Sequence, residues 1–394
     1  MSSVRDEIYA LRDKMDQYIL GQSKIVEQIL ISILSNGHIL VEGLPGLAKT
    51  TAIKALSENM ECDFGRIQFT PDLVGKDITG KEIAYKVEEE THYKFEPGPI
   101  FHNIVLADEI NRAPSKTQNS LLEAMEERQV TVAGIGHKVP DLFMVMATQN
   151  PGIQKGTFPL PEAQMDRFLM LVEVLYPTEE TEVDIMRMIR DKSSQKQRKK
   201  EKSGKSDEGR VLTPQKTIFD ARAEIDEIVV PPYIERYIVD LVFSTRYPER
   251  YTYELKSYIS VGVSPRGTLS MDRGCRTLAW LRGRSEVTIE DVQEMIYPIL
   301  RHRIGMTERA AKHHVHADEL IKDMLDLVPV PDPSDAKAED SGKIGAEEQA
   351  LEHVKKQERI AAEQAEAAQA AQEAQAAENG ESPDDAASSE QAAE

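Results

Sequence analysis

The apolar positions of this chain change period several times, and each change predicts a different element. Residues 22–35, QSKIVEQILISILS, set Ile25, Ile29, Ile33 and Leu34 at helical spacing, which predicts a helix with one buried face. The run HILVEG at 38–43 is continuous and short, so it reads as a buried strand leading into a glycine loop, with a helix beginning near Lys49. Apolar runs at 64–70, 103–109, 142–150 and 167–174 have the same character. Five such runs with helical patterns between most of them predict an α/β fold: a parallel five-stranded sheet with helices on both faces.

Two stretches break that rhythm. Residues 78–97, DITGKEIAYKVEEETHYKFE, read as a hairpin with a charged turn. Residues 128–139 alternate Val130 with Val132 and then turn through Gly134 and Gly136, which predicts a second hairpin. The sheet needs neither for its core, and without further information surface decoration explains them as well as function does. From about residue 176 the strand signals fade and helical ones take over, starting with acidic residues in PTEETEVDIMRMIRD. Ser264 is placed to cap a helix with Pro265 in its first position and Arg266 just inside. Thr288, with Asp291 three residues on, repeats the pattern.

The chain has 394 residues, room for two domains and a tail at about 150 residues per domain. The patterns divide it into an α/β core at 1–175, an all-helical domain at 176–331 and a tail at 332–394. Within the second lies the basic, Ser/Gly-rich segment 192–210, which has no large apolar groups and reads as a solvated loop. The tail has helix propensity but almost no apolar stripe, so disorder or a loose helix is expected there.

Charge narrows the picture. The formal net charge is −20, and residues 332–394 carry 17 acidic against 5 basic side chains, so most of the excess sits in the tail. A mildly acidic body argues against a nucleic-acid partner, which calls for a basic footprint. The two cysteines, Cys62 and Cys275, give no disulfide framework and no zinc spacing. There is no apolar leader of signal-peptide length and no run of 18 apolar residues, so the expectation is a cytoplasmic protein without a membrane span.

The candidate chemistry begins at GLPGLAKT, 43–50. It matches the phosphate loop G-x-x-x-x-G-K-[ST] except that Ala48 replaces the second glycine. Gly43 and Gly46 are expected to supply the turn, Lys49 to reach the β- and γ-phosphates and Thr50 to ligate Mg²⁺; Ala48, at the start of a helix, needs no left-handed backbone and so is tolerable. About 60 residues on, IVLADEIN ends an apolar strand with Asp108 and Glu109, where open α/β sheets bind ligands. Asp108 can hold Mg²⁺ through water, and Glu109 can take a proton from an attacking water. Asn150 at the tip of VMATQN can orient that water if its strand neighbours the Asp108 strand. Arg167, at the start of a fifth strand, lies too far along the sheet edge to serve its own phosphate easily and could serve a neighbour's; Arg266 is on the helical domain.

The order loop, Asp-Glu, Asn, Arg, Arg resembles the MoxR family of AAA+ ATPases. The likeness is carried by GLPGLAKT, FTPDLVGKDITG, PGPIFHNIVLADEINRAPSKTQNSLLEAMEERQVTV, MATQNP, FPLPEAQMDRF, YPTEETE, GVSPRG and the VPVP of 328–331, and it runs from about residue 8 to 331. Ala before the loop lysine is usual in that family. The resemblance implies a helical lid after the core, ATP as substrate with Mg²⁺, and a hexameric ring holding nucleotide between subunits. It implies nucleotide contacts from Gly43, Pro45, Gly46, Leu47, Ala48, Lys49, Thr50 and Thr51, with Ile19, Leu20 and Gly21 at the adenine and Asp108 at the metal. It makes Glu109, Asn150, Arg167 and Arg266 the Walker B base, sensor 1, a trans-acting arginine finger and sensor 2. The two hairpins would face the ring pore. It points to protein clients with von Willebrand factor A-type domains, whose metal sites ATP would help assemble. A nucleic-acid motor and a metal-chelatase motor subunit share the clade and stay open as alternatives. Gly267, where an alanine often follows the sensor 2 arginine, is a departure expected to loosen its helix.

Overall fold

The computed structural model of the protein describes residues 3–18, 22–43, 49–87, 90–150, 156–188, 190 and 212–331. The expected basic loop 192–210 and the tail 332–394 lie outside the described residues, as do Ile19, Leu20, Gly21, Pro45, Gly46, Leu47 and Ala48.

Two helices, α1 (Val4–Asp16) and α2 (Ser23–Leu34), precede the first strand. The central sheet contains β1 (Ile39–Gly43), β2 (Phe64–Gln68), β5 (Ile104–Asp108), β8 (Met144–Gln149) and β9 (Met170–Val174). Its order is β2-β5-β8-β1-β9 and every pairing is parallel. These are the five expected runs. The inner strands are apolar on both faces because each face is covered: Ile39, Val41, Leu106 and Met146 enter one core, while Leu40, Val105, Ala107 and Val145 enter another. The edge strand β2 exposes Arg66 and Gln68. Helix α3 (Lys49–Asn59) follows β1, and α5 (Ser115–Glu127) packs its Leu121, Leu122 and Met125 into the second core.

Helix α2 departs from its expected single buried face: Val26, Leu30 and Ile31 are buried along with Ile25, Ile29 and Ile33. It is enclosed by α1, α3, β9 and the helices Gln215–Asp226 and Pro265–Leu281. That enclosure shows how the C-terminal helical region sits. Its Trp280, Ile299 and Leu300 share one continuous core with β1 and β9.

Both hairpins are present. β3 (Gly80–Val87) pairs with β4 (Glu90–Pro97), and β6 (Gln129–Val132) with β7 (Ile135–Lys138). Gly80 has φ +91°, and a Cβ there would lie 2.3 Å from the Glu96 carbonyl oxygen, so glycine is required where the first hairpin leaves the short helix α4 (Gly75–Thr79). The hairpins touch through Phe95 and His137, whose rings stack with centroids 3.8 Å apart. Ile83, Tyr85, Tyr93 and Ile135 are exposed on them.

In the helical region Ser264 accepts a hydrogen bond from the Arg266 N–H (3.1 Å), as the cap assignment required. Asp291 accepts from the Thr288 N–H (3.0 Å) and is fully buried against Arg284. The region also holds one strand pair that the helical pattern did not indicate, Ile259–Val261 against Gly305–Met306.

Candidate active site

The strand order reverses beside β1: β2 lies three places to one side of it and β9 on the other. Such a switch point opens a crevice beyond the carboxyl ends of the strands. Lys49, the first residue of α3, projects its ammonium there. It donates to the carbonyl oxygens of Gly43 (2.5 Å) and Gln149 (3.3 Å) and to Oδ1 of Asn150 (3.2 Å). Burial pulls its pKa below the ordinary lysine value, and the carboxylates of Asp108, Glu109 and Glu42 oppose that shift. Thr50 is half-buried in the same first turn and Thr51 is exposed.

Gly43 is the last residue of β1, and a Cβ on it would stand 2.9 Å from both Cβ and the carbonyl oxygen of Val174. Close approach to β9 excludes a side chain there; the turn expected of it runs into residues 44–48, outside the described residues.

The two acids at the end of β5 are held by the next strand. Thr148 of β8 donates its hydroxyl to Asp108 Oδ1 (2.8 Å), and its oxygen accepts the Glu109 N–H (2.9 Å). Glu109 has φ 55°, ψ 51°, a left-handed backbone costing on the order of 1–3 kcal/mol for a residue with a side chain. The Thr148 hydrogen bond helps to hold that turn, which swings the Glu109 carboxylate away from the strand direction. Arg66 of β2 donates to Asp108 Oδ2 (2.6 Å), and Arg112 lies 3.5 Å from the Glu109 carboxylate. The β5–β8 pairing places Asn150 beside these acids, as the sequence condition required. Thr148 and Arg66 were missed in the sequence. Their only signal there is position, one strand over from Asp108.

Arg167 and Arg266 lie elsewhere. Arg167 precedes β9, at the amino edge of the sheet, so the length of a five-residue strand, roughly 15 Å, separates that level from Lys49. Arg266, from the helical region, comes to the same edge. Both pair with the carboxylate of Glu126 near the end of α5, Arg167 at 2.9 Å. They line one cavity of about 340 Å³ together with His38, Arg128, Asp166 and Arg303. His38 accepts the Val145 N–H at Nδ1 (3.0 Å), which leaves Nε2 to donate to the Met125 carbonyl (3.3 Å). Burial first, and the Arg128 charge second, hold its pKa down at about 3. The structure therefore brings Lys49, Asp108, Glu109 and Asn150 together at one edge, and Arg167 with Arg266 at the opposite one.

Gly267 is closely packed. A Cβ there would stand 2.2 Å from Val263 Cγ1 and 3.3 Å from Arg303 Cδ, so the missing side chain permits tight packing.

Comparison with known proteins agrees with this architecture. Residues 38–170 match the family described as ATPases associated with various cellular activities (AAA), and residues 253–324 match the AAA lid domain. The chain is 40% identical over 326 residues to the chaperone MoxR1 of Mycobacterium tuberculosis, covering 81% of each. It is 29% identical to the protein MoxR of Paracoccus denitrificans over 79% of this chain and 93% of that one. A crystal structure of a protein from Cytophaga hutchinsonii put forward as an ATPase superposes with a TM-score of 0.72 at 35% identity, covering 84% of this chain and 96% of that one.

Proposed function

The chain belongs to the MoxR family of AAA+ ATPases, and from that premise we propose that it hydrolyses ATP to remodel or mature partner proteins. Residues 1–175 act as the engine, 176–331 as the lid and 332–394 as an appended tail. The engine works in the cytoplasm as a homo-oligomeric, hexameric ring, with each ATP held between subunits.

Lys49 and the start of α3 meet the phosphates, with the loop residues Gly43 to Thr51 around them and Leu20 and Gly21 at the base. The hydroxyl of Thr50 and the carboxylate of Asp108 are hard oxygen donors that suit Mg²⁺, which neutralises phosphate charge when bound. Asn150 orients a water toward the γ-phosphorus and Glu109 accepts its proton; the bond from that phosphorus to the β,γ-bridging oxygen breaks, leaving ADP and phosphate. Arg167 and Arg266 of the partner subunit meet the charge of the transferring group. The observation that carries this reading is the division of the charged groups between two edges of one sheet. Neither edge holds a full set, and a head-to-tail neighbour would supply the missing half.

The chaperone name of the mycobacterial relative supports a protein client, and the family points to clients with von Willebrand factor A-type domains. The mildly acidic charge of the body argues against a nucleic-acid partner, which calls for a basic footprint. The test uses tagged Glu109→Gln protein with ATP as bait in native lysate, beside Lys49→Ala. Glu109→Gln should retain a von Willebrand A-type protein only with ATP, and Lys49→Ala should retain none. Recovery of nucleic acid or of chelatase subunits would overturn the client assignment. Unchanged ATP turnover in purified Lys49→Ala would overturn the site itself.

A further inference from the structure

The turn that carries Arg167 has little regular structure to hold it. Residues 166–169 link the single-turn helix α6 (Glu162–Met165) to β9, with N–H groups bonded back to α6 at one end and the Leu169 N–H donating to the His38 carbonyl (2.7 Å) at the other. A side chain 137 residues away adds the side-chain hold. Arg303, whose side chain is 2% exposed, donates from Nε to Asp166 Oδ1 (2.8 Å). Its two Nη groups donate to the carbonyl oxygens of Asp166 (3.1 Å), Phe168 (2.5 Å) and Leu169 (3.0 Å). These acceptors lie immediately before and after Arg167, so one guanidinium brackets it. The remaining Asp166 oxygen, Oδ2, accepts from the hydroxyl of Ser264 (2.7 Å), the residue that caps the helix bearing Arg266. Arg303 also donates to Ser270 on that helix (3.2 Å), and it passes beneath the helix at Gly267.

We infer that Arg303, through Asp166, is a positioning residue that locks Arg167 and Arg266 into one rigid pair. This rests on the reading that the two arginines act on a neighbour's nucleotide. A planar guanidinium can hold a carboxylate and several backbone carbonyls at once, whereas an ammonium, a point charge with three donors, cannot reproduce that fork. The lid and the arginine turn therefore move together, and Arg303 touches no nucleotide.

The experiment is Arg303→Lys, with Asp166→Asn as a second variant that keeps the side chain's shape, assayed for ATP turnover alone and in mixed assemblies. Misplacing the arginines should lower kcat on the order of 100-fold, with KM for ATP near wild type because each subunit's own loop is intact. Mixing Arg303→Lys with Lys49→Ala, which supplies a sound arginine edge, should restore turnover; mixing it with Arg167→Ala should not. Adding Arg303→Lys to Arg167→Ala should cost nothing further. Wild-type turnover in both variants would overturn the inference. So would failure of both to recover with Lys49→Ala while Arg167→Ala does recover, since that is the pattern of general unfolding. If Arg167→Ala itself fails to recover, the neighbour-serving reading falls, and the double variant still decides for Arg303: an additive loss overturns the positioning role.

Discussion

The two edges of the central sheet are built in different ways. At the carboxyl edge each polar group is the end of something regular: Asp108 closes β5, Asn150 follows β8 and Lys49 opens α3. Parallel pairing alone brings them within reach of one another. At the amino edge Arg167 sits in an irregular turn, and Arg266, Arg303 and Glu126 arrive from elements far away in the chain. There the geometry depends on how the helical region is seated against the sheet. The first edge is set by strand topology, and the second by a contact between layers.

The sharpest way to break this comparison is to disable one edge at a time. Arg167→Ala should lose about 1,000-fold or more in ATP turnover and regain it when mixed with Lys49→Ala, because each variant keeps the edge the other lacks. Recovery requires exchange of subunits, and its absence would show that one chain uses both of its own edges. A milder change sharpens the picture from the carboxyl side. Thr148→Val removes the oxygen that holds both Asp108 and the Glu109 N–H, and a buried N–H left without a partner costs about 1–3 kcal/mol. We expect kcat to fall about tenfold, the equivalent of 1.4 kcal/mol, with ATP affinity retained. An unchanged kcat would mean that the turn at Glu109 holds without Thr148.

The smallest effect is expected from the amino edge and shows only in acid. His38 titrates near 6.5 when unfolded and at about 3 in the folded protein. A depressed folded pKa means its contribution to stability is complete above about pH 6.5 and declines as pH falls toward 3. His38→Gln, which keeps an acceptor and a donor, should flatten the decline of the melting temperature between pH 6.5 and 4 without abolishing it, since buried His302 shifts in the same direction. An identical slope in the variant would remove His38 from the acid response.

The same contrast accounts for what could be read from the sequence. The five strands, both hairpins, the Ser264 cap and the acids at the end of β5 are local events, visible as runs, alternation or cap residues. Thr148 and Arg66 were not legible, because their importance lies in which strand pairs with which, and short apolar runs carry no pairing order. Asp166, Arg303 and Glu126 were hidden by separation: a carboxylate before an arginine looks like any solvated turn until its partner arrives from 137 residues away. The wide burial of α2 was missed likewise, since the apolar spacing marks one face and the helical region that covers the rest, Gln28 and Ser32 included, comes from far along the chain. The crowding around Gly267 was also not legible, since it appears only once Val263 and Arg303 are in place.

A parallel sheet has a direction, and a chain with half of its machinery at each end inherits that direction. If a neighbour's arginines serve the nucleotide, as proposed, the carboxyl edge of one chain docks on the amino edge of the next, a head-to-tail contact. In an open row of n chains, n − 1 junctions are complete and one end of each kind is left over. Only closure of the row removes both loose ends, so on the proposed reading a ring leaves no copy idle.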